Sequence, residues 1–488
     1  MAGKGSLEKR GDNTWRLVVS CGMKGNQQIK KKKTITVKVS CEQKSCKGCS
    51  RTSRCQARRE AEKLLAEFVL EIEKGLFIEP ARLSFKDFVE RWLKDYAEKN
   101  LAPKTLFRYK QMLNTRILPA MGHLRIEQIK PTHLLEFYAN LQEDGIRTDG
   151  KPGGLSERTI LHHHRLISSI LQDAVEWQVI VSNPASRVKP PKVSKKQMSC
   201  YDEEQVEILL EAVENEPLKH KLLVYLAVFT GLRRGELMGL EWCDIDFDAG
   251  TLEVRQVSQY IPGEGQFTKE PKNETSERLL SLPPFLNDML KAYKKEQNKK
   301  RLKLGDAWQG SDRLFTTWDG KPGHPEWPSQ WFPKFIKAYN VEEAFNAEIS
   351  SISNTLTEQE LSKFNELKIR YLNHIKSNSK TPEKVLTEIE RAIIEIIGEK
   401  GLERIKQRQV LPPLSFHGLR HISATMLINT GLPAKSISGR LGHSNIETTY
   451  NIYGHYLKSA DKEAADRLEI LYQNMKDKGK TNLKKGQA

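Results

Sequence analysis

Residues 414–457 read LSFHGLRHISATMLINTGLPAKSISGRLGHSNIETTYNIYGHYL. His417 and Arg420 stand three residues apart, a spacing that puts both on one helix face within reach of one ligand. His443 follows in Leu-Gly-His, and Tyr453 comes ten residues later. Singly, each has an ordinary structural reading: a salt-bridge arginine, a satisfied histidine, a core tyrosine. Two further segments change that. FTGLRRGELMGLEWCDIDF (229–247) sets Arg233 and Arg234 just after a Thr-Gly break, with Glu236 behind them. TKEPKNETSERLLSLPP (268–284) sets Lys272 on a polar turn between two strands, with Lys269 beside it as the alternative.

Combined, these groups define a chemistry. Two guanidiniums are permanently charged forks that grip the nonbridging oxygens of a phosphodiester and neutralise the charge growing there. A tyrosine hydroxyl, with a pKa near ~10, is a weak nucleophile at neutral pH and needs a base or a cationic field. A lysine can hand a proton to a departing deoxyribose oxygen, and histidines can hydrogen-bond the phosphate and move protons. No Asp/Glu cluster accompanies them in these segments, so a two-metal nuclease is unsupported.

At this point the chain resembles the tyrosine recombinase family, and within it the integrases of temperate phages and conjugative elements. TGLRRGEL is similar to the family's first arginine box and HGLRH to its His-x-x-Arg box. LGHSNIETTYNIYGH is similar to the closing box, where the nucleophile stands two residues before a histidine. The resemblance implies that Arg233 and Arg420 clamp the phosphate and that Tyr453 attacks it. By the same token Lys272 is general acid for the 5′ oxygen, His417 is an acid/base, and His443 hydrogen-bonds the phosphate. The hairpin register favours Lys272 over Lys269, and His455 favours Tyr453 over Tyr450. Glu236 reads as a buttress of the local helix. The resemblance further implies a 3′-phosphotyrosyl intermediate, a Holliday junction, double-stranded DNA with core and arm sites, and a homotetramer in the synaptic complex. It leaves room for a directionality factor and a DNA-bending protein, and it requires no cofactor for catalysis.

The charge along the chain is uneven. Lys plus Arg number 79 against 62 Asp plus Glu, a formal net charge of +17. Residues 1–60 hold 16 basic and 4 acidic residues, and residues 471–488 hold 5 and 1, so nearly all the excess lies at the two ends. That distribution suits arms that hold a polyanion. No apolar stretch is long enough for a bilayer, and MAGKGSLEKRGDNTW has no apolar signal-peptide core, so a soluble, cytoplasmic protein of a bacterial host is expected, without membrane partners. Its seven cysteines are then reduced.

Residues 13–39 predict two or three short strands, and Ala57–Gly75 a helix. Arg16, Lys30, Lys31, Lys32 and Lys33 on or beside those strands are candidate DNA contacts of a sheet laid in a groove. Between sheet and helix, Cys41, Cys46, Cys49 and Cys55 include one C-x-x-C knuckle and make a candidate structural zinc site, against the alternative of free thiols in a solvated loop. From Leu83 to Pro184 the pattern is helical, and Lys104, Thr105 and Arg108 are the candidate DNA contacts there. His162–His164 point about 100° apart on a helix, cannot converge on one metal, and read as surface or DNA-facing groups. Beyond 200 come mixed helices and strands, including TLEVRQVSQY and RLLSLP. Residues 341–409 predict a helical hairpin, with a capping box at Thr357 and Glu360 and a second helix from Thr381-Pro382-Glu383 to Gly398.

The expected fold is therefore multidomain and mainly α with small β elements. Residues 1–77 are a small β-sheet plus helix, an arm-type DNA-binding domain carrying the cysteines. Residues 83–186 are an all-α core-binding domain, 187–199 a Pro- and Lys-rich linker, and 200–488 an α+β catalytic domain with a helical insertion at about 341–409. The cysteine cluster and the insertion both depart from the family pattern, in which WFPKFIKAYN and LPPLSFHGLRH lie close in sequence. A type IB topoisomerase would share the arginines and tyrosine but not the arm-like domain. A chromosome-dimer resolvase would usually lack that domain too. A DNA-binding regulator would need none of the Arg–Lys–His–Arg–His–Tyr set.

Overall fold

The computed structural model describes residues 5–11, 13–24, 27–38, 55–73, 83–194, 200–270, 277–352, 356–377 and 383–442. Cys41, Cys46, Cys49, Lys272, His443, Tyr450 and Tyr453 lie outside the described residues. The chain divides into two compact units, residues 1–196 and 197–488.

The first unit opens with strands β1 (Ser6–Lys9), β2 (Thr14–Lys24) and β3 (Gln27–Thr36), antiparallel in that order, and helix α1 (Gln56–Glu73). β1 precedes the expected strands; SLEK is too short and polar to show an apolar alternation. Trp15, Leu17 and Val19 alternate along β2 and are buried with Val37 against Ala57, Ala61 and Phe68 of α1. Pairing sets Leu17 opposite Lys33, Val18 opposite Lys32, Val19 opposite Lys31 and Ser20 opposite Lys30. Directly opposed residues share a face. The four lysines are therefore not one row, because consecutive strand residues alternate. Lys31 and Lys33 lie on the helix side, where Lys33 Nζ meets Glu71 Oε2 at 3.0 Å and stands 5.5 Å from the centre of the Phe68 ring. Lys30 and Lys32 share the open face with Arg16.

The helices α2 (Phe85–Trp92), α3 (Glu98–Asn100), α4 (Pro103–Met112), α5 (Leu118–Met121), α6 (Pro131–Asn140) and α7 (Glu157–Glu176) follow, and all but α3 contribute to a second, separate core. Ser84 caps α2 by accepting from Asp87 N at 3.1 Å, and Phe85, Phe88, Val89 and Trp92 enter the core. Trp92 Nε1 donates to Asp173 Oδ2 of α7 at 2.5 Å. The three histidines of α7 differ from expectation. Only His162 is exposed; His163 is buried beside Phe137, with Nδ1 2.8 Å from Thr159 O, and His164 Nδ1 meets the Tyr138 hydroxyl at 2.8 Å. A helix of 20 residues lying in a bundle turns at least one of three consecutive residues inward.

In the second unit, α8 (Glu203–Glu214), α9 (Leu218–Thr230) and α10 (Arg234–Leu237) lead into β4 (Ile245–Asp246), β5 (Thr251–Val254), β6 (Val257–Ile261), β7 (Gly265–Lys269) and β8 (Arg278–Ser281). β4–β5–β8 form one antiparallel sheet and β6–β7 a second. The single strand expected over TLEVRQVSQY is thus two. The break falls at Arg255, which pairs with Asp244 and Glu241, and Gln256, whose Nε2 donates to Gly239 O at 2.9 Å. Next come α11 (Pro284–Leu304), α12 (Trp327–Ile352), α13 (Glu358–Lys376), α14 (Glu383–Gln407), α15 (Gly418–Asn429) and α16 (Ala434–Leu441). α9, buried on most of its surface, packs along α15 at the centre of the core.

The insertion is a bundle of α12, α13 and α14 rather than a hairpin. α12 runs unbroken from the main core of the second unit, where Phe332, Phe335 and Ile336 pack, into a core shared by Phe345, Phe364, Leu367, Tyr371, Ile389, Ile393, Leu402 and Ile405. The Thr357–Glu360 capping box is present. Gly398 leaves helical geometry at φ 72° and ψ 169° and ends the helix that opens at Glu383, as expected; α14 is two helices across that kink, and Leu402 and Ile405 of the second pack into the same core. The returning chain is held at its root by the buried Asn340. Its Nδ2 donates to Leu411 O at 2.7 Å, and its Oδ1 accepts from Leu411 N at 2.8 Å and Val410 N at 3.1 Å. Among the described residues no helix is long and apolar enough to cross a membrane.

Candidate active site

α9 stops where Thr230 and Gly231 break the helix. Thr230 Oγ1 donates to Leu226 O at 2.5 Å, and Gly231 is left-handed at φ 65°. Arg233 then caps the short α10, and its N–H donates to Glu236 Oε2 at 2.9 Å. The Arg233 guanidinium reaches Glu236 Oε1 at 2.8 Å and Gly442 O at 2.7 Å. From α15, Arg420, only 3% exposed, donates to Gly231 O at 2.6 Å and to Leu441 O at 2.7 Å. Adjacent carbonyls at the end of α16 thus receive both arginines, drawing together two boxes nearly two hundred residues apart. A side chain on Gly231 would block this approach, since a Cβ there would lie 2.4 Å from Leu441 Cδ2.

His417 is the N-cap of α15, and its ring stands edge-on to His421 with centroids 4.9 Å apart. Burial, then the charges of Arg420, Arg233 and Arg234, hold the His417 imidazole below its usual range, so it is neutral at pH 7. A neutral imidazole beside two guanidiniums can accept a proton without first losing one. His421 is pushed down to about 4 by burial and by His417 and Arg420.

Glu236 does more than buttress a helix. It is 2% exposed and accepts from Arg278 Nη2 at 2.9 Å as well as from Arg233. Burial pushes its carboxyl up, but Arg278 and Arg233 together hold it below the usual carboxylate range. Arg278 Nε donates to Arg440 O at 2.8 Å, and Arg440 Nη2 donates to Phe229 O at 3.1 Å and Ser281 O at 3.2 Å. Sequence reasoning passed over Arg278, Arg440 and His421. The only trace of Arg278 was a charged residue opening an apolar strand.

The structure thus brings Arg233, His417 and Arg420 together and ends its described course one residue before His443. Lys272 lies in the segment between β7 and β8, outside the described residues, as does Tyr453. Elsewhere, Lys104 and Arg108 are exposed one turn apart on α4, with Thr105 half-buried. Arg158, His162 and Arg165 form an exposed stripe on α7. Burial, then Arg108, Arg165 and Arg158, lower the pKa of His162, so α4 and α7 present one basic face. Cys55, the described member of the proposed zinc set, packs against Trp15, Val37, Ala57 and Ala61. Among the described residues no cluster of His, Cys, Asp or Glu is placed to hold a metal ion.

The profile of the phage integrase family matches residues 200–350 and 345–460, and that of the phage integrase N-terminal SAM-like domain matches residues 84–142. The chain is 24% identical over 487 residues to a tyrosine recombinase XerC-like protein of Caldanaerobacter subterraneus subsp. tengcongensis, covering 97% of this chain and 100% of that one. It is 24% identical over 416 residues to the ICEBs1 integrase of Bacillus subtilis, covering 85% and 90% of the two. The Tn1549 transposon integrase, solved in complex with a circular intermediate DNA, superposes with a TM-score of 0.54 at 18% identity, over 79% of this chain and 99% of that one. That likeness is one of fold.

Proposed function

The chain belongs to the phage integrase family of tyrosine recombinases, and from that premise we propose how its residues divide the work. It is a site-specific DNA recombinase that integrates a mobile element. The observation that carries the assignment of roles is the meeting of Arg233 and Arg420 on the carbonyls of Leu441 and Gly442, with His417 against both charges.

Arg233 and Arg420 hold the nonbridging oxygens of the scissile phosphate and stabilise the charge that develops as a fifth ligand approaches phosphorus. The Tyr453 oxygen attacks phosphorus and its proton passes to neutral His417. The bond to the 5′ oxygen breaks, and Lys272 protonates that oxygen as it leaves. The DNA is left as a 3′-phosphotyrosyl ester and a free 5′ hydroxyl. Attack by the 5′ hydroxyl of a partner duplex reverses the step and, after one strand exchange, yields a Holliday junction. His443 hydrogen-bonds the phosphate throughout. Lys104, Thr105 and Arg108, on the basic face of α4 and α7, grip the core site, while the open sheet face with Arg16, Lys30 and Lys32 reads the arm site. The working form is a homotetramer on two duplexes, in the cytoplasm of a bacterial host, assisted by a directionality factor and a DNA-bending protein. Catalysis uses no metal. Cys41, Cys46, Cys49 and Cys55 would hold a structural zinc, and elemental analysis of reduced, untagged protein that finds none would leave them as free thiols.

A nicked suicide substrate tests the reading. The full chain, in excess chelator, should form a protein–DNA adduct that survives denaturation. Tyr453→Phe should abolish the adduct while leaving DNA binding nearly intact, and Tyr450→Phe should retain it. An adduct formed by Tyr453→Phe would overturn the assignment.

A further inference from the structure

We propose that Arg278 is a positioning residue for strand cleavage: one buried guanidinium ties together the chain segments that lead to Arg233, Lys272 and His443. The inference rests on the catalytic reading above and adds a residue that acts through its neighbours rather than on the phosphate.

The Arg278 side chain is 7% exposed, and a guanidinium is taken out of water at a loss unless its donors are matched. As the first residue of β8 it sits where an apolar side chain would serve the sheet as well. Its donors instead face two directions. Nη2 meets Glu236 Oε2 at 2.9 Å, and Nε meets Arg440 O at 2.8 Å. Gly442 passes close over the same group: at φ 67°, a Cβ on it would lie 2.7 Å from Arg278 Nη1. Glu236 holds both the side chain and the backbone N–H of Arg233, and Arg233 reaches on to Gly442 O. The links close a ring from Arg278 through Glu236 and Arg233 to residues 440–442 and back. Its members lie on three segments: the turn that presents Arg233, the strand that follows Lys272 in the chain, and the end of α16 just before His443. A planar fork presents fixed donors to a carboxylate on one edge and a carbonyl on another; an ammonium, a point charge with three donors on a flexible stem, does not fix that geometry.

Without Arg278 the ring opens, and Glu236 is left buried with Arg233 as its remaining cation. Burial then pushes the carboxyl upward, and once protonated it releases its hold on Arg233. The charged groups facing Glu236 are Arg233 and Arg278 themselves, with Arg440 behind Arg278 and His417 against Arg233.

The experiment measures single-turnover adduct formation by the full chain on a saturating nicked suicide substrate, with DNA affinity by fluorescence anisotropy and folding by thermal melting. Arg278→Met should slow adduct formation by about 100-fold, the scale of a misplacement near 1 Å, with affinity unchanged. Its rate should also fall off at a higher pH than that of the wild type, and adding Glu236→Gln should remove that shift. Arg278→Lys should recover part of the rate. Rates for both variants indistinguishable from wild type at every pH would overturn the proposal, as would a loss carried by DNA affinity alone. If Arg278→Met does not fold, Arg278→Lys decides: a slower rate at unchanged affinity supports the role, and a wild-type rate overturns it. A wild-type chain that forms no adduct would instead overturn the catalytic reading.

Discussion

Gly231 shows how little freedom the arginine pair has. Its left-handed backbone excludes ordinary side chains, and the space a Cβ would occupy is filled by Leu441 and by Ser423 Oγ at 3.0 Å. Gly231→Ala should therefore destabilise the protein by about 1–3 kcal/mol in chemical denaturation. Because Gly231 O holds Arg420 and Leu441 moves with Gly442, cleavage should fall further than stability alone explains. Histidines set a second residue-scale expectation. His421 and His220 are both pushed down from 6.5 to about 4, His421 by burial, His417 and Arg420, and His220 by burial and Lys219. Such groups bind protons in the unfolded chain before the folded one, so their contribution is complete above pH 6.5 and is lost as pH falls toward 4. The melting temperature should drop through that window, and His421→Asn should flatten the drop. That Arg233, His417 and Arg420 would lie together was legible in sequence because their neighbours form boxes. Arg278 was not, because its function depends on burial, and no local pattern reveals which charged residue a fold will cover.

At the scale of elements, β3 makes a prediction that the bare sequence could not. Four consecutive lysines read as a single basic patch, yet a strand sends alternate residues to opposite faces, and the pairing assigns Lys30 and Lys32 to the open side. Replacing those two with glutamine should lower the salt slope of arm-site binding by about 2, at ~0.9 per phosphate contact. Replacing Lys31 and Lys33 should change the slope less and loosen the packing of α1, since Lys33 is engaged with Glu71 and Phe68. A salt titration of the two double variants separates the cases, and equal slopes would show that the open face does not meet DNA. Long periodic helices were legible for the same reason that this register was not. A helix advertises itself through neighbours three and four apart, whereas strand pairing depends on a partner elsewhere in the chain. The break at Arg255, the extra β1, the buried His163 and the third helix of the insertion all turn on contacts between distant segments.

For the whole molecule, the chemistry is concentrated in one unit and the excess charge in the other. Deleting residues 1–75 should abolish arm-site binding and flatten the salt dependence of binding to a full attachment site. Cleavage of a short core site should survive, because none of the proposed catalytic groups is removed. A truncated protein that binds arm DNA with the full chain's salt slope would show that the N-terminal sheet is not a DNA reader. In the sequence the prolines and lysines at 184–197 interrupt two apolar patterns, and the division between the two units falls at residues 196 and 197. The root of the insertion has a consequence of another kind. Asn340 and Leu411 are 71 residues apart in sequence but bonded side by side. Whatever lies between them forms a loop whose ends are already joined, and doubling such a loop costs only about 0.6 kcal/mol in closure entropy. The catalytic core thus carries a graft point, where descent or engineering can exchange one module for another while the reaction it serves stays the same.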